Sequence, residues 1–478
     1  MLFNSPLFLL GFIPLFLVTY FVVPGIRFRN VVIVLFSTFF FAWGDPVFVG
    51  YVVAGTGVDY LIIKHILSNQ SLSAGVRRAA VAVAVLINVA ALLFFKYANF
   101  FVDQFQPLLQ LAGLERPSWY GVALPLGISF IAFHKISFVL DLYKQRTSPP
   151  ASFIDALLYV LFFPQLIAGP IIRYHDIGQQ IRTRSHSSEE LIAGFFRFTR
   201  GLAKKVLIAD PAGDIAKAIF ALPPESLPAH YAWLGVLAYA IQIYFDFSGY
   251  SDMAIGLGRM VGFRFPENFN QPYTAKSVTD FWQRWHMTLS KWMLLYLYIP
   301  LGGNKVAPWR MYFNLWIVFL ISGFWHGAAW TFILWGAYFG LFLTFEKFCE
   351  QRGWVFSAPS LVKQLLTFVI IMNSWVLFRS DSLEYAMRLL GRMYGLVPQL
   401  QPAAEPFALI FPPHGLAVIV LGMVIAMIPL PEALRRLEGI KNSSWLDTVR
   451  WATGTLLFVM SLSAILASGS SSFLYFRF

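Results

Sequence analysis

Residues Met311–Phe345 read MYFNLWIVFLISGFWHGAAWTFILWGAYFGLFLTF: 35 positions without one Asp, Glu, Lys or Arg, bracketed by Arg310 and Glu346. A single helix of that length would run about 52 Å, too long for a hydrocarbon core of about 30 Å. The stretch therefore has to break into two membrane segments. The break is expected at Ser322-Gly323-Phe324-Trp325-His326-Gly327, where two glycines flank the only titratable side chain of interest. His326 is then held deep in the membrane at a backbone irregularity, with Trp325 and Trp330 nearby. Ionisable groups in such a place are costly and mark function by default. Burial opposes the charged imidazole, and a neutral ring serves as a general base or a nucleophile. The plainer alternative is a histidine hydrogen-bonded across helices, worth about 1–2 kcal/mol.

The rest of the chain has the same character. Of 478 residues 58% are hydrophobic and 18% aromatic, and only 13% are charged, about half the share of a soluble protein. With a mean hydropathy of +0.64, neither a set of soluble domains nor a disordered chain fits. The expected fold is an all-α polytopic membrane protein, a single domain over residues 1–478 with roughly nine to twelve membrane segments, several of them short or re-entrant. The net charge of +12 follows from Lys and Arg in cytoplasmic loops. No basic run interleaved with stacking aromatics lies outside the apolar segments, so nucleic acid is not an expected partner. The single cysteine, Cys349, leaves no disulfide framework or cysteine-based metal site and reads as filler.

No basic residue precedes the first apolar run, Pro6–Val23, and no small-residue cleavage site follows it, so it is expected to stay as an anchor. Arg27 and Arg29 come after it, placing the N-terminus outside and the loop at 24–30 in the cytoplasm. Val31–Trp43 and Val47–Ile63 form a hairpin around Gly44-Asp45-Pro46. Ala79–Phe95, Tyr120–Leu140, Ser226–Phe245, Gly415–Leu430 and Trp451–Ala467 are further spans, the last two separated by a basic loop holding Arg435, Arg436 and Lys441. Leu157–Ile172, with Pro164 and Gly169-Pro170 and basic residues beyond, is expected to be re-entrant and shielded by protein or a water-filled cavity. Phe195–Lys205 mixes aromatics with Arg197, Arg200, Lys204 and Lys205 and reads as an interfacial amphipathic helix.

A second polar cluster is Asp280-Phe281-Trp282-Gln283-Arg284-Trp285-His286-Met287-Thr288-Leu289-Ser290-Lys291-Trp292. On one continuous helix Asp280 would pair with Arg284, and His286 and Ser290 would share a face. Arg284 and Lys291 are also suited to phosphate, Arg through its bidentate fork and Lys as a point charge. Trp282, Trp285 and Trp292 fit an interface belt equally well. The loop Tyr298–Lys305, with Pro300 and Gly302-Gly303, offers backbone amides to an anion. Asp246 and Asp252, at the end of an apolar run, can orient a histidine or bind a cation, although a solvated helix end accounts for them more simply. His65, His134, His175, His186, His230 and His414 fall at loop or interface positions. No catalytic Ser–His–Asp order, zinc spacing, Walker loop or dinucleotide fingerprint occurs.

Taken together these stretches resemble the membrane-bound O-acyltransferase family. The likeness rests on Asp280–Asn304, DFWQRWHMTLSKWMLLYLYIPLGGN, and Ile321–Trp330, ISGFWHGAAW. Leu124–Tyr143, Ile243–Gly256 (IYFDFSGYSDMAIG) and Asn373–Ser380 (NSWVLFRS) support it, and the ending Phe473–Phe478, FLYFRF, is similar to that of the bacterial alginate O-acetylase branch. The resemblance implies tilted helices around a central tunnel through a thinned membrane. It implies His326 and His286 as catalytic residues, with no metal and no bound cofactor, and acetyl-CoA as donor. Arg284 and Lys291 are then expected at the CoA phosphates, with Trp285, Ser290, Trp325 and Asp246 along the tunnel. The implied activity is O-acetylation of an extracytoplasmic polysaccharide from the bacterial inner membrane, finished by a periplasmic acetyltransferase. Acetylation of peptidoglycan or cellulose, D-alanyl transfer to teichoic acid, and transport without acyl chemistry are the alternatives. One departure is His134, where relatives often carry Gln or another polar residue.

Overall fold

A computed structural model describes residues 1–113, 121–399, 413–428, 444–469 and 471–474. Tyr120, Leu430, the loop with Arg435, Arg436 and Lys441, the side chain of His414 and the last four residues of the FLYFRF ending lie outside the described residues. The described chain is helical, with no strand, as backbone in hydrocarbon must be unless it closes a barrel. Among the described residues five helices are long and apolar enough to cross a membrane: Pro46–Leu67, Ala74–Leu111, Trp330–Gln351, Ser360–Arg379 and Thr448–Ser468, with Leu7–Val22 and Gly415–Met427 shorter. Their apolar side chains are widely exposed; only 11% of the Thr448–Ser468 window is buried. Such surface needs lipid against it, so the protein is a multi-pass membrane protein. By contacts the chain forms two compact units, Met1–Phe198 with Met253–Pro266, and Thr199–Asp252 with Glu267–Leu474.

The first unit opens with α1 (Leu7–Val22), α2 (Ile26–Ala42) and α3 (Pro46–Leu67). The expected turn is present: the Phe48 amide donates to the Asp45 carboxylate at 3.1 Å, and Pro46 takes the first helical position. α4 (Ala74–Leu111) runs well past the expected end at Phe95, through a π-helical turn at Leu93–Tyr97. Lys96 does not stop it because its ammonium group turns inward and donates to Ser129 at 3.3 Å. α5 (Ile128–Tyr143) is buried along almost its whole length. Its Lys135 pairs with Asp59 at 3.5 Å, both 2% exposed. His134 is fully buried in the middle of α5, and not at a loop or interface as its neighbours in sequence implied. α6 (Phe153–Leu161), a single turn at Phe163–Leu166 and an extended piece bury every residue from Leu157 to Ile172, followed by α7 (Tyr174–Arg182). Beyond α7, His186 lies 2.7 Å from the Tyr20 hydroxyl and 3.2 Å from the Arg29 guanidinium. Burial, Arg29 and Arg184 push its imidazole below the ordinary value.

α8 (Ser188–Ala203) leads into a π-helical turn at Lys204–Ala209, then α9 (Asp210–Phe220) and α10 (Ala229–Met260). Within the second unit the end of this stretch is not simply interfacial: Lys205 is buried, although Arg200 stays exposed. Lys205 lies 2.7 Å from both Asp246 and Asp210, while Lys204 and Arg200 reach Asp252 at 2.9 and 3.1 Å. Gly201 and Gly249 permit this approach, since a Cβ on Gly249 would meet the Gly201 carbonyl at 2.7 Å. Asp246 and Asp252 are therefore buried in mid-helix and ion-paired, not solvated at a helix end. α11 (Val278–Trp282), α12 (Met287–Met293), α13 (Pro308–His326), α14 (Trp330–Gln351), α15 (Ser360–Arg379), α16 (Leu383–Met393), α17 (Pro413–Met427) and α18 (Ser444–Ser468) complete the unit. The 35-residue apolar run breaks where expected: α13 ends on His326 and α14 starts at Trp330. The two form a hairpin whose open end is fastened by the Tyr312 hydroxyl donating to Gln351 at 2.6 Å. Near its apex Gly323 and Gly336 face each other, and a Cβ on Gly323 would lie 3.0 Å from the Gly336 Cα. Small residues let the helices close around His326.

Candidate active site

The segment carrying His286 is not one helix. α11 ends at Trp282, and His286 itself adopts φ 45°, ψ 50°, a left-handed conformation that few non-glycine residues hold, before α12 begins. Two backbone bonds hold it there, Met287 N–H to Asn268 O and Asn270 N–H to Arg284 O, each 2.9 Å. The Asp280–Arg284 pair survives the break at 2.6 Å.

The His286 ring is fully buried, with Phe247 edge-on at 4.7 Å between centroids. Its Nδ1 lies 3.0 Å from Asn268 Oδ1. That oxygen also faces the Thr288 amide and hydroxyl, at 3.4 and 2.7 Å, while Asn268 Nδ2 donates to Ser251 Oγ at 3.0 Å. An amide N–H can only donate, so the atom facing Thr288 is the acceptor oxygen, and His286 Nδ1 must carry the proton. In the neutral ring the lone pair is then on Nε2. Asn268 was not found from sequence: it stands 18 residues before His286, and only its polar amide in the aromatic Phe265–Phe269 stretch sets it apart.

His326, 5% exposed, is enclosed by the rings of Trp325, Trp335 and Phe378 at 4.8, 5.0 and 5.2 Å. Trp325 also lies 6.4 Å from the His286 ring, so one indole touches both imidazoles. Trp375 and Phe378 bring NSWVLFRS into this wall, with Trp375 packed 5.0 Å from Trp285. Trp330, expected beside His326, is 55% exposed.

A cavity of about 1060 Å³ runs alongside, lined entirely by the second unit. On α13 it follows Leu315, Val318, Phe319 and Ser322; Ser322 stands one helical turn before His326, on the same face. Trp282 and Ser290 also line it, with the Ser290 hydroxyl donating to the Trp282 carbonyl at 3.1 Å. Trp282 packs against Trp335 at 5.7 Å, and Trp335 against His326. An aromatic partition thus separates this space from the imidazole. Of the other residues expected along a tunnel, Trp285 and Trp325 lie in the buried aromatic wall, and Asp246 accepts from the Leu474 amide at 2.9 Å besides pairing with Lys205. Arg284 is held by Asp280, Lys291 is exposed, and neither lines the cavity. Glu346 was also missed in the sequence. Its carboxylate accepts from the Val278 and Thr279 amides, at 2.7 and 2.9 Å, and so ties α14 to the start of the His286 segment. Among the described residues no cluster of three His, Cys, Asp or Glu could hold a metal ion.

Two buried imidazoles thus flank one indole beside a largely apolar cavity in a helical membrane body. The chain belongs to the membrane-bound O-acyltransferase family, whose model matches residues 62–378, and it is an enzyme of that class. It is 38% identical to a probable alginate O-acetylase of Pseudomonas putida, with both chains covered over 100% of their length. It is 42% identical to a protein of the same description from Azotobacter vinelandii, over 82% of this chain and 78% of that one. It is also 35% identical to a peptidoglycan O-acetyltransferase of Helicobacter pylori, over 100% of this chain and 98% of the other.

Proposed function

We propose that this single-domain enzyme takes an acetyl group from cytoplasmic acetyl-CoA and passes it across a bacterial inner membrane for O-acetylation of an extracytoplasmic, alginate-like polysaccharide. The observation that carries the reading is the buried set His286–Trp325–His326, which stands behind the Trp282–Trp335 wall of a cavity that leads along α13. A thioester attached to charged CoA cannot enter hydrocarbon, so only the acyl group has to pass. The full-length likeness to alginate O-acetylases favours the polysaccharide, and the likeness to the Helicobacter protein keeps peptidoglycan as the second reading.

His326 acts in one of two balanced ways. As a base it removes the acceptor hydroxyl proton, the oxygen attacks the thioester carbonyl, and the C–S bond breaks as the thiolate takes the proton back. As a nucleophile its ring nitrogen attacks the thioester carbonyl and expels the CoA thiolate as the C–S bond breaks; the acceptor oxygen then attacks the acetyl carbon, the C–N bond breaks to restore the neutral ring, and the hydroxyl proton goes to the thiolate. His286, with its proton fixed on Nδ1, offers Nε2 to hold or pass the proton. Arg284, paired with Asp280, and the exposed Lys291 do not line the cavity, so the donor's phosphates are not assigned to them. The N-terminus lies outside and the loop at 24–30 inside, and a periplasmic acetyltransferase completes the modification. The test is transfer of label from acetyl-CoA by the purified protein, followed by acid quench. Label retained at His326 supports the covalent route, turnover without it supports base catalysis, and an intact thioester refutes the reading.

A further inference from the structure

The cavity is apolar along its length and cationic at one end. Lys276, Lys347 and Lys363 stand around that end together with Glu346 and Glu350. It is the open end of the α13–α14 hairpin, where Tyr312 meets Gln351. Lys347 lies about 26 Å along α14 from Trp330, close to the thickness of the hydrocarbon core. Both carboxylates are already engaged: Glu346 accepts from the amides that begin α11, and Glu350 pairs with Lys347 at 2.8 Å. Among the described residues no carboxylate pairs with Lys276 or Lys363.

Two uncommitted ammonium groups at an aqueous mouth, a greasy throat, and an imidazole behind its inner wall together fit one kind of molecule. It is an amphiphile anchored by phosphate, with a slender arm that carries a thioester inward. We propose that Lys276 and Lys363 form an anion clamp for the phosphate end of a pantetheine thioester donor. This rests on the acyl-transfer reading and assigns the donor's anchor to the cavity mouth, away from Arg284 and Lys291. A flexible phosphate–Lys contact at a partly exposed site is salt-sensitive and sequence-tolerant, so Arg is expected to substitute for either lysine.

The chain supplies its own reporter, because its only cysteine, Cys349, lines the same cavity. Maleimide labelling of Cys349 in the detergent-purified protein is followed with CoA, 4′-phosphopantetheine or pantetheine as protectant. CoA is expected to protect the wild type, less well at high salt. Lys276→Gln and Lys363→Gln each raise the CoA concentration for half-protection about five- to tenfold, while leaving pantetheine protection unchanged. Lys→Arg at either site restores CoA protection. Equal protection by 4′-phosphopantetheine places the clamp on the phosphate beside the arm, and weaker protection extends it to the nucleotide phosphates; either supports the clamp. Undiminished CoA protection in both Gln variants overturns it, as does a wild type that CoA fails to protect. Protection without acetyl transfer would refute the acyl-transfer reading and leave the clamp standing, so the two fail separately.

Discussion

Replacing Asn268 by leucine removes the one acceptor that decides where the His286 proton sits. Asn268 is fully buried, and its oxygen serves the imidazole at 3.0 Å and the Thr288 hydroxyl at 2.7 Å. The Thr288 hydroxyl can rotate to another acceptor, but the ring N–H at Nδ1 cannot without changing tautomer or swinging the ring. A buried donor left without its acceptor costs about 1–3 kcal/mol. The His286 ring can recover that cost by moving its proton to Nε2, and the lone pair proposed to hold or pass the proton is then lost. Felt in the reacting state alone, 1–3 kcal/mol is about a five- to 150-fold fall in kcat. The KM for acetyl-CoA should move little, since Asn268 does not line the cavity. Asn268→Asp keeps an acceptor oxygen in place and is expected to retain most of the rate. The assay is transfer of label from acetyl-CoA by protein in lipid nanodiscs, with folding checked by size exclusion and thermal unfolding. A well-folded Asn268→Leu protein with kcat within twofold of wild type would refute the tautomer assignment and the part given to His286.

Further outcomes follow from the same structure. His326→Ala should abolish acetyl transfer while the protein still inserts and folds, because its cost is one aromatic contact set in an otherwise intact wall; wild-type activity would reject its catalytic role. Asp246→Asn leaves the buried Lys205 with only the half-exposed side of its carboxylate set, and should cost about 3 kcal/mol of stability, read as a fall in unfolding temperature in detergent. Adding Lys205→Met should recover a good part of that loss, and purely additive losses would argue against the pair. His186 is held below its ordinary value in the folded protein. The unfolded chain therefore takes up the proton first as pH falls, and this residue's contribution, complete above about pH 6.5, is lost below it. His186→Gln should flatten the pH dependence of the unfolding temperature between pH 7 and 5; an unchanged slope would contradict the assignment.

How much of this was legible in the chain depended on how local the cause was. The shortage of charge made the protein a membrane protein, and the length of the uncharged run from Met311 to Phe345 forced a break beside His326, since hydrocarbon thickness and helix rise leave no other solution. The Gly44-Asp45-Pro46 turn was readable for the same reason: its cap and its proline act within three residues. Motif likeness supplied the family and both histidines. What failed were the readings at four positions where a charge was taken to end a span or face water. Lys96, Asp246, Asp252 and Lys205 are buried because their partners arrive from helices far along the chain, and Lys205 and Asp246 are 41 positions apart. The left-handed turn at His286 could not be read from its own neighbours either, because it is held by Asn268. Composition and spacing are sums over neighbours and determine the solvent, the segment lengths and the break. Which polar group meets which inside the bundle is decided only once the helices pack, because burial makes each unpaired group costly enough to select its partner across the fold.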